Sequence, residues 1–344
     1  MADTIGVAVA GGAGYMGIEL LRLLASHPHV EIRRATSEQH SGKAVSEIFP
    51  SLRGRVDLRF EQLDASTLAD GVDVVFSALP HGTAAATIVE ALKRRVAVVD
   101  LSADFRLRDA AEFRKWYGEH PAPELLGESV YAIPEFARQE IRSARIVAAP
   151  GCYPTGALLG LVPLARAGLI GEGTIVVDSK SGASGAGRTA KTELLFGELQ
   201  ENVRAYGVGH HRHQPEIEQG LRGAGCATPV VFTPHLLPIR RGILSTIYVP
   251  LKNVDGLAAA YERAFANEGF VHVLGENRFP EVRDVRGTNY AQIGWKVLDS
   301  QPMAIVVTAI DNLGKGGSGQ AVQALNVRFG FDERAGLDHI AAVP

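Results

Sequence analysis

The chain has 344 residues, of which 46% are hydrophobic and 21% charged, with a formal net charge of -3. That length fits about two domains, and the small charge argues against an electrostatic binder of nucleic acid or anionic membrane. Two cysteines, Cys152 and Cys226, are too few for a disulfide framework and fit a reducing compartment.

The first residues show no basic stretch ahead of an apolar one, so no secretory signal is expected. No apolar run approaches the ~20 residues of a membrane span. The expected location is the cytoplasm.

Thr4 to Ala10 reads as a buried strand, with Ile5, Val7 and Val9 apolar. It runs into Gly11, Gly12, Ala13, Gly14, Tyr15, Met16 and Gly17, followed by a helix over Ile18 to Ser26. Glycines at 11, 14 and 17 are a variant of the dinucleotide fingerprint, in which bare backbone approaches a pyrophosphate at a helix N-terminus. A plain tight turn is the alternative, and the strand before and helix after favour the dinucleotide.

A second strand, Val30 to Ala35, ends at Thr36-Ser37-Glu38, where a ribose-reading residue belongs. The signals there conflict. Ser37 suits a 2′-phosphate and NADP, Glu38 would repel it, and Arg33, Arg34 or Lys43 could compensate.

Val72 to Leu79 is a third strand, Thr83 to Arg94 a helix and Val96 to Leu101 a fourth strand. This alternation over the first 150 residues predicts a doubly wound parallel sheet. His81, in the turn after the third strand, is either a ligand contact or loop packing.

Ile146 to Ala149 ends at Pro150-Gly151, and Cys152 precedes a largely apolar helical run from Gly156 to Leu164. Pro154 suits a first helical turn, where its missing N–H is no loss. Cys152 then lies at a helix N-terminus, where dipole and amides favour the reactive thiolate. A small buried packing cysteine is the alternative.

Beyond it, Gly173 to Lys180 is a strand entering the loop Ser181-Gly182-Ala183-Ser184-Gly185-Ala186-Gly187-Arg188, rich in amides and hydroxyls suited to an anion. Strands over Val230 to Thr233, Ile243 to Pro250, Phe270 to Leu274, Asn289 to Val297 and Met303 to Ile310 predict an α+β second domain with a mixed, largely antiparallel sheet. His210, His211 and His213 form the densest ionisable cluster. No third ligand has metal spacing, so no metal is expected, and an acid/base partner for a thiol is the economical reading. If the stretch is extended, His211 and His213 face one way and Arg212 the other. Asp311 to Gly319 is a second glycine-rich loop, opening a helix over Gln320 to Phe329 that is expected to rejoin the first domain.

These motifs together resemble the N-acetyl-γ-glutamyl-phosphate reductases of arginine biosynthesis, relatives of aspartate-semialdehyde dehydrogenase. The resemblance rests on the 11–17 glycines, Ala-Leu-Pro-His-Gly at 78–82, Asp-Leu-Ser-Ala-Asp-Phe-Arg at 100–106 and Tyr-Ala-Ile-Pro-Glu at 131–135. Pro-Gly-Cys-Tyr-Pro-Thr at 150–155, the 181–188 loop, His-Arg-His-Gln-Pro-Glu-Ile at 211–217, Pro-His-Leu-Leu-Pro-Ile-Arg-Arg-Gly at 234–242 and the 311–317 loop complete it.

It implies a Rossmann-type domain over 1–151, joined by a C-terminal helix at about 315–344, and a catalytic and dimerisation domain over 152–314. It also implies NADPH-dependent reduction of an acyl phosphate through a Cys152 thioester, in a homo-oligomer, dimer or tetramer. His213, or else His211, would move protons. Gly11 to Gly17, Ser37, Leu79, Pro80, Ser184, Gly185, Asn312, Lys315 and Gly316 would hold the cofactor. Arg106, Thr155, Ser181, Gly182, Arg188 and Arg241 would hold the substrate. Glu38 stands where the family often has arginine. The rivals are an aspartate- or aminoadipate-branch reductase and, from another class, a non-catalytic dinucleotide sensor, which would need neither Cys152 nor the histidines.

Overall fold

The computed structural model describes residues 4–342, which divide into two compact units. The first comprises the chain up to Pro150 together with Gly317–Asp338. The second comprises Gly151–Gly316 and the described residues from His339 on. No helix among the described residues is long and apolar enough to cross a membrane.

The first unit is built as β1 (Ile5–Ala10), α1 (Tyr15–Leu24), β2 (Val30–Ala35), the short α2 (Val45–Ile48), β3 (Val74–Ser77), α3 (Ala84–Leu92) and β4 (Ala97–Asp100). There follow α4 (Ala110–Tyr117), β5 (Ser129–Tyr131), α5 (Pro134–Ser143) and β6 (Ile146–Ala148). The sheet order is β2-β1-β3-β4-β6-β5, and every pairing is parallel. All six residues of β1 are buried, as expected where helices cover both faces. Strand order reverses beside β1, so its carboxyl end lies at the switch point where ligands bind in open parallel sheets. β5 and α5 escape the sequence pattern. β5 is only three residues long, and Ala137 breaks the helical dihedrals of α5.

The second unit opens with α6 (Cys152–Arg166), β7 (Ile175–Gly182), α7 (Phe196–Leu199), β8 (Arg204–Ala205) and α8 (Gln214–Gly223). It continues with β9 (Val230–Leu237), β10 (Ile243–Pro250), α9 (Leu257–Phe265), β11 (Val271–Glu276), β12 (Ala291–Val297) and β13 (Met303–Ile310). Its sheet order is β11-β12-β13-β10-β7-β9-β8. The β7–β9 and β11–β12 pairs are parallel and the other four antiparallel. α6 is buried from Tyr153 to Ala165, a helix apolar all round and therefore enclosed. Gly156 and Gly160 let it approach the sheet, their faces meeting Thr308, Ser245 and Ile247.

The chain then returns to the first unit as α10 (Gly319–Phe329), buried from Gly319 to Val327 and packed on α1 and α5. Gln323 Nε2 donates to Glu135 Oε1 at 3.0 Å, and His27 Nε2 meets Asn326 Oδ1 at 2.7 Å.

Candidate active site

The glycine loop in the first unit is shaped by what a side chain would hit. Gly11 has φ +78°, and a Cβ there would lie 2.6 Å from the Ala78 carbonyl oxygen. A Cβ on Gly17 would lie 2.2 Å from Gly11 O and 2.6 Å from Gly12 Cα. The loop is therefore folded tightly back on the start of α1. The helix begins at Tyr15, three residues ahead of expectation, because Gly14 is an extended N-cap without a capping side chain. Its first turn carries no acidic residue. Bare backbone at an uncapped, positively polarised helix end fits a dinucleotide pyrophosphate.

At the end of β2, Ser37 is buried, and its Oγ accepts the His40 N–H at 3.2 Å. Glu38 accepts hydrogen bonds from the Gln62 amide and from Leu63 N, the latter at 3.3 Å. Arg33 pairs with Glu31 and Arg34 with Glu61, both at 2.9 Å, so the two arginines expected to compensate Glu38 are each tied to another carboxylate.

Leu79 and Pro80 follow β3, in a turn held by the buried Asp104. That carboxylate accepts from His81 Nδ1 at 3.0 Å, Gly82 N at 3.0 Å and Ala85 N at 2.9 Å, capping α3. Arg106 is buried, and its guanidinium donates to the carbonyls of Ala149 (2.9 Å) and Leu101 (2.8 Å), lacing the ends of β4 and β6.

In the second unit, Cys152 is the first residue of α6 and Gly151 its extended N-cap. Gly151 is required by its neighbour. A Cβ there would lie 2.4 Å from His213 Nε2, so the imidazole rests directly against the residue preceding the thiol. On the other side a Cβ on Gly316 would come within 2.9 Å of Cys152 Cβ. The hydroxyl of Thr155 donates to Gly151 O at 3.1 Å, inside the helix.

His213 is the N-cap of α8, and Glu216 lies in that helix's first turn, fully buried. Glu216 Oε2 accepts the Gly151 N–H at 3.0 Å, and its Oε1 stands 3.9 Å from His213 Nε2. The sequence reading missed this carboxylate. Its signal was an acidic residue three positions after a histidine at a helix start.

The histidine segment is not extended, as the alternation argument required, but a turn containing Gly207 (φ +57°) and Gly209 (φ +74°). The rings still converge, with centroids 4.9 Å apart, because His213 N donates to His211 Nδ1 at 3.1 Å. That bond leaves His211 Nε2 as the protonated nitrogen of the neutral ring. Burial first, and then the neighbouring His213, push the pKa of His211 down to about 3. His211 is therefore a neutral donor near pH 7. It packs edge-on against Tyr153, Tyr206 and Phe232.

The Tyr153 and Tyr206 hydroxyls lie 2.7 Å apart. Burial raises the Tyr206 phenol to about 12, and Tyr153 higher still, so both stay protonated.

The 181–188 loop offers fewer amides than expected. Gly182 N, Ala183 N and Ser184 N donate to the carbonyls of Gly242, Ile239 and Arg240 at 2.9–3.0 Å, and Ser181 Oγ donates to Gly182 O at 3.1 Å. Gly185 and Arg188 are exposed. Asn312 stitches this loop to the next, donating to Ser184 Oγ at 2.9 Å and accepting from Gly242 N at 2.7 Å. Arg241 forms a side-on pair with the buried Asp311, at 2.8 Å. Lys315 is wholly buried, its ammonium 5.7 Å from the centroid of the Phe270 ring.

Residues 6–144 match the family of the semialdehyde dehydrogenase NAD binding domain, and residues 152–312 that of the semialdehyde dehydrogenase dimerisation domain. The chain is 49% identical over 344 residues to the N-acetyl-gamma-glutamyl-phosphate reductase of Ectopseudomonas mendocina, across 99% of this chain and 100% of that one. It is likewise 49% identical over 343 residues to the reductase of Geotalea daltonii, across 98% and 99%.

Among solved structures, aspartate semialdehyde dehydrogenase II of Vibrio cholerae complexed with ASA superposes with a TM-score of 0.71 at 19% identity, across 94% of this chain and 98% of that one. The Candida albicans aspartate semialdehyde dehydrogenase with NADP gives 0.70 at 17% identity, across 94% and 100%. These two show the shared fold. At about half identity over its whole length, the chain belongs to the N-acetyl-gamma-glutamyl-phosphate reductase family of semialdehyde dehydrogenases.

Proposed function

We propose that the chain reduces N-acetyl-L-glutamyl 5-phosphate to N-acetyl-L-glutamate 5-semialdehyde and phosphate, the step that the family performs in arginine biosynthesis, with Cys152 as nucleophile. The observation that carries the roles is Cys152 at the start of α6, with His213 Nε2 against Gly151 and the buried Glu216 3.9 Å from the same nitrogen.

The Cys152 thiolate attacks the acyl carbon and phosphate leaves, so that the substrate is held as a thioester. The helix end at Cys152 favours the anionic sulfur. Gly11 to Gly17, Ser37, Leu79 and Pro80 would hold NADPH, which would supply the hydride. His213 Nε2 takes the thiol proton, lends it to the oxyanion of the thiohemiacetal and takes it back as that oxygen becomes the aldehyde carbonyl, while Glu216 stabilises the imidazolium. Cys152 then leaves as thiolate. His211, neutral and protonated at Nε2, donates to substrate, and Arg241 with the exposed Arg188 grips its anionic groups.

In this reading the chain works as a homo-oligomer through the less covered face of the second sheet, where Val231 of β9 is 49% exposed. Its site is suited to the cytoplasm, since neither cysteine is in a disulfide and the thiol must stay reduced.

Purified chain incubated with the acyl phosphate and NADPH should oxidise the cofactor. Semialdehyde with phosphate and NADP should reduce it. No absorbance change in either direction overturns the proposal. Sedimentation of the same sample as a monomer would remove the oligomer from it.

A further inference from the structure

We propose that Asp311 is the positioning residue of the substrate's anion site, acting through Arg241 and setting the backbone beside the nucleophile at the same time. The inference rests on the reading of Arg241 as an anion-gripping residue.

Sheet register brings the two residues together. Ile243 of β10 pairs with Ile310 of β13, so the residues just outside that pair leave the sheet side by side. Asp311 is fully buried, and its carboxylate is an acceptor hub. Oδ1 accepts from Arg241 Nη2, Leu313 N and Gly314 N, each at 2.8 Å. Oδ2 accepts from Arg241 Nε at 2.9 Å and from Gly287 N at 2.6 Å.

The pairing is side-on, through Nε and Nη2, which fixes the plane of the guanidinium. Asp311 thereby sets the direction in which the guanidinium edge faces. The Arg241 side chain is 22% exposed, whereas Asp311 is sealed.

The backbone of Asp311 does a second job. Its carbonyl accepts Gly316 N at 2.8 Å, and Gly316 is the residue whose Cβ would come within 2.9 Å of Cys152 Cβ. Two fixed relationships thus meet in one residue: the guanidinium orientation and the wall beside the sulfur. A lysine at 241 would keep the positive charge but not the two-point attachment, since an ammonium has no fork.

The test compares Asp311→Asn, Arg241→Lys and Arg241→Gln with wild type. Kinetics against acyl-phosphate concentration are measured alongside alkylation of Cys152 by iodoacetate, an anion, and iodoacetamide, its neutral analogue. Asp311→Asn and Arg241→Lys are each expected to raise KM about tenfold with kcat changed less than about threefold, the signature of lost binding. The iodoacetate-to-iodoacetamide rate ratio should fall with them while the iodoacetamide rate holds.

A parallel fall of kcat and of both alkylation rates would mark Asp311 as a structural tie and overturn the proposal. So would wild-type KM and ratio in both variants while Arg241→Gln loses them. If Arg241→Gln also behaves as wild type, the reading of Arg241 itself has failed. Should Asp311→Asn not fold, Arg241→Lys read against Arg241→Gln keeps the proposal falsifiable, since wild-type KM and ratio in the lysine variant with loss in the glutamine variant overturn it.

Discussion

Glu216 accepts the backbone N–H of Gly151 at 3.0 Å across 65 residues of sequence. The bond joins the first turn of α8 to the N-cap of α6, so one buried carboxylate holds both the nucleophile's helix and the neighbourhood of His213. Glu216→Gln keeps an acceptor for Gly151 but loses the charge facing the imidazole. It should lower kcat about tenfold, less than the ~10²-fold expected for loss of the acid–base group itself, with little change in stability. Glu216→Ala leaves the amide without that acceptor and should cost about 1–3 kcal/mol in addition. Denaturation and turnover of both variants check the split. Equal losses of stability would show that the carboxylate's charge, absent from both variants, matters there and the hydrogen bond to Gly151 does not.

Cys152→Ser should abolish turnover while cofactor binding persists, because a serine alkoxide is far harder to form at neutral pH than a thiolate. Alkylation of the wild type should label Cys152 and spare Cys226, which is only 9% exposed. Peptide mapping after inactivation reads this directly, and label on Cys226 at the point of full inactivation contradicts it.

His213→Asn should lower kcat by about 10²-fold, whereas His211→Asn should mainly raise KM. A reversed pattern in saturation kinetics exchanges their roles.

His211 also makes a stability prediction. Its folded pKa, about 3, lies below the ordinary histidine value of 6.5, so between these the unfolded chain binds more protons than the folded one. Its contribution is therefore intact above about pH 6.5 and declines as pH falls toward 3. Asp100, buried and raised to about 6, acts with the opposite sign between 3.8 and 6, where the folded state binds the extra proton. His211→Asn should flatten the acid-side decline in urea midpoints measured from pH 7 to pH 4.5. An unchanged slope would show that the ring is solvated.

Gly17→Ala places a methyl 2.2 Å from Gly11 O and should abolish cofactor binding, measured by quenching of NADPH fluorescence. The chain should prefer NADPH over NADH. With Arg33 and Arg34 already paired, Glu38→Arg should tighten NADPH and leave NADH unchanged. Equal affinity of the wild type for both cofactors would show that Glu38 governs the ribose site.

Short-range chemistry was legible in the sequence. Glycines 11, 14 and 17 between a strand and a helix marked the cradle, and at 11 and 17 a side chain would strike backbone. A cysteine after Pro150-Gly151 and before an apolar run marked a thiol at a helix start, and period-two alternation marked the second sheet.

What tertiary structure decided are pairings between distant residues. Glu216 on Gly151, Asp311 on Arg241, and the amides of 182–184 bonded into the 239–242 turn all depend on sheet register and helix packing. A single chain's local pattern does not encode them, since propensity and periodicity act over a few residues, whereas register is set by burial across the whole sheet. The histidines show the difference most plainly. Spacing brought them together only in an extended stretch, whereas the turn that does so, and the burial that keeps His211 neutral, come from the packed fold.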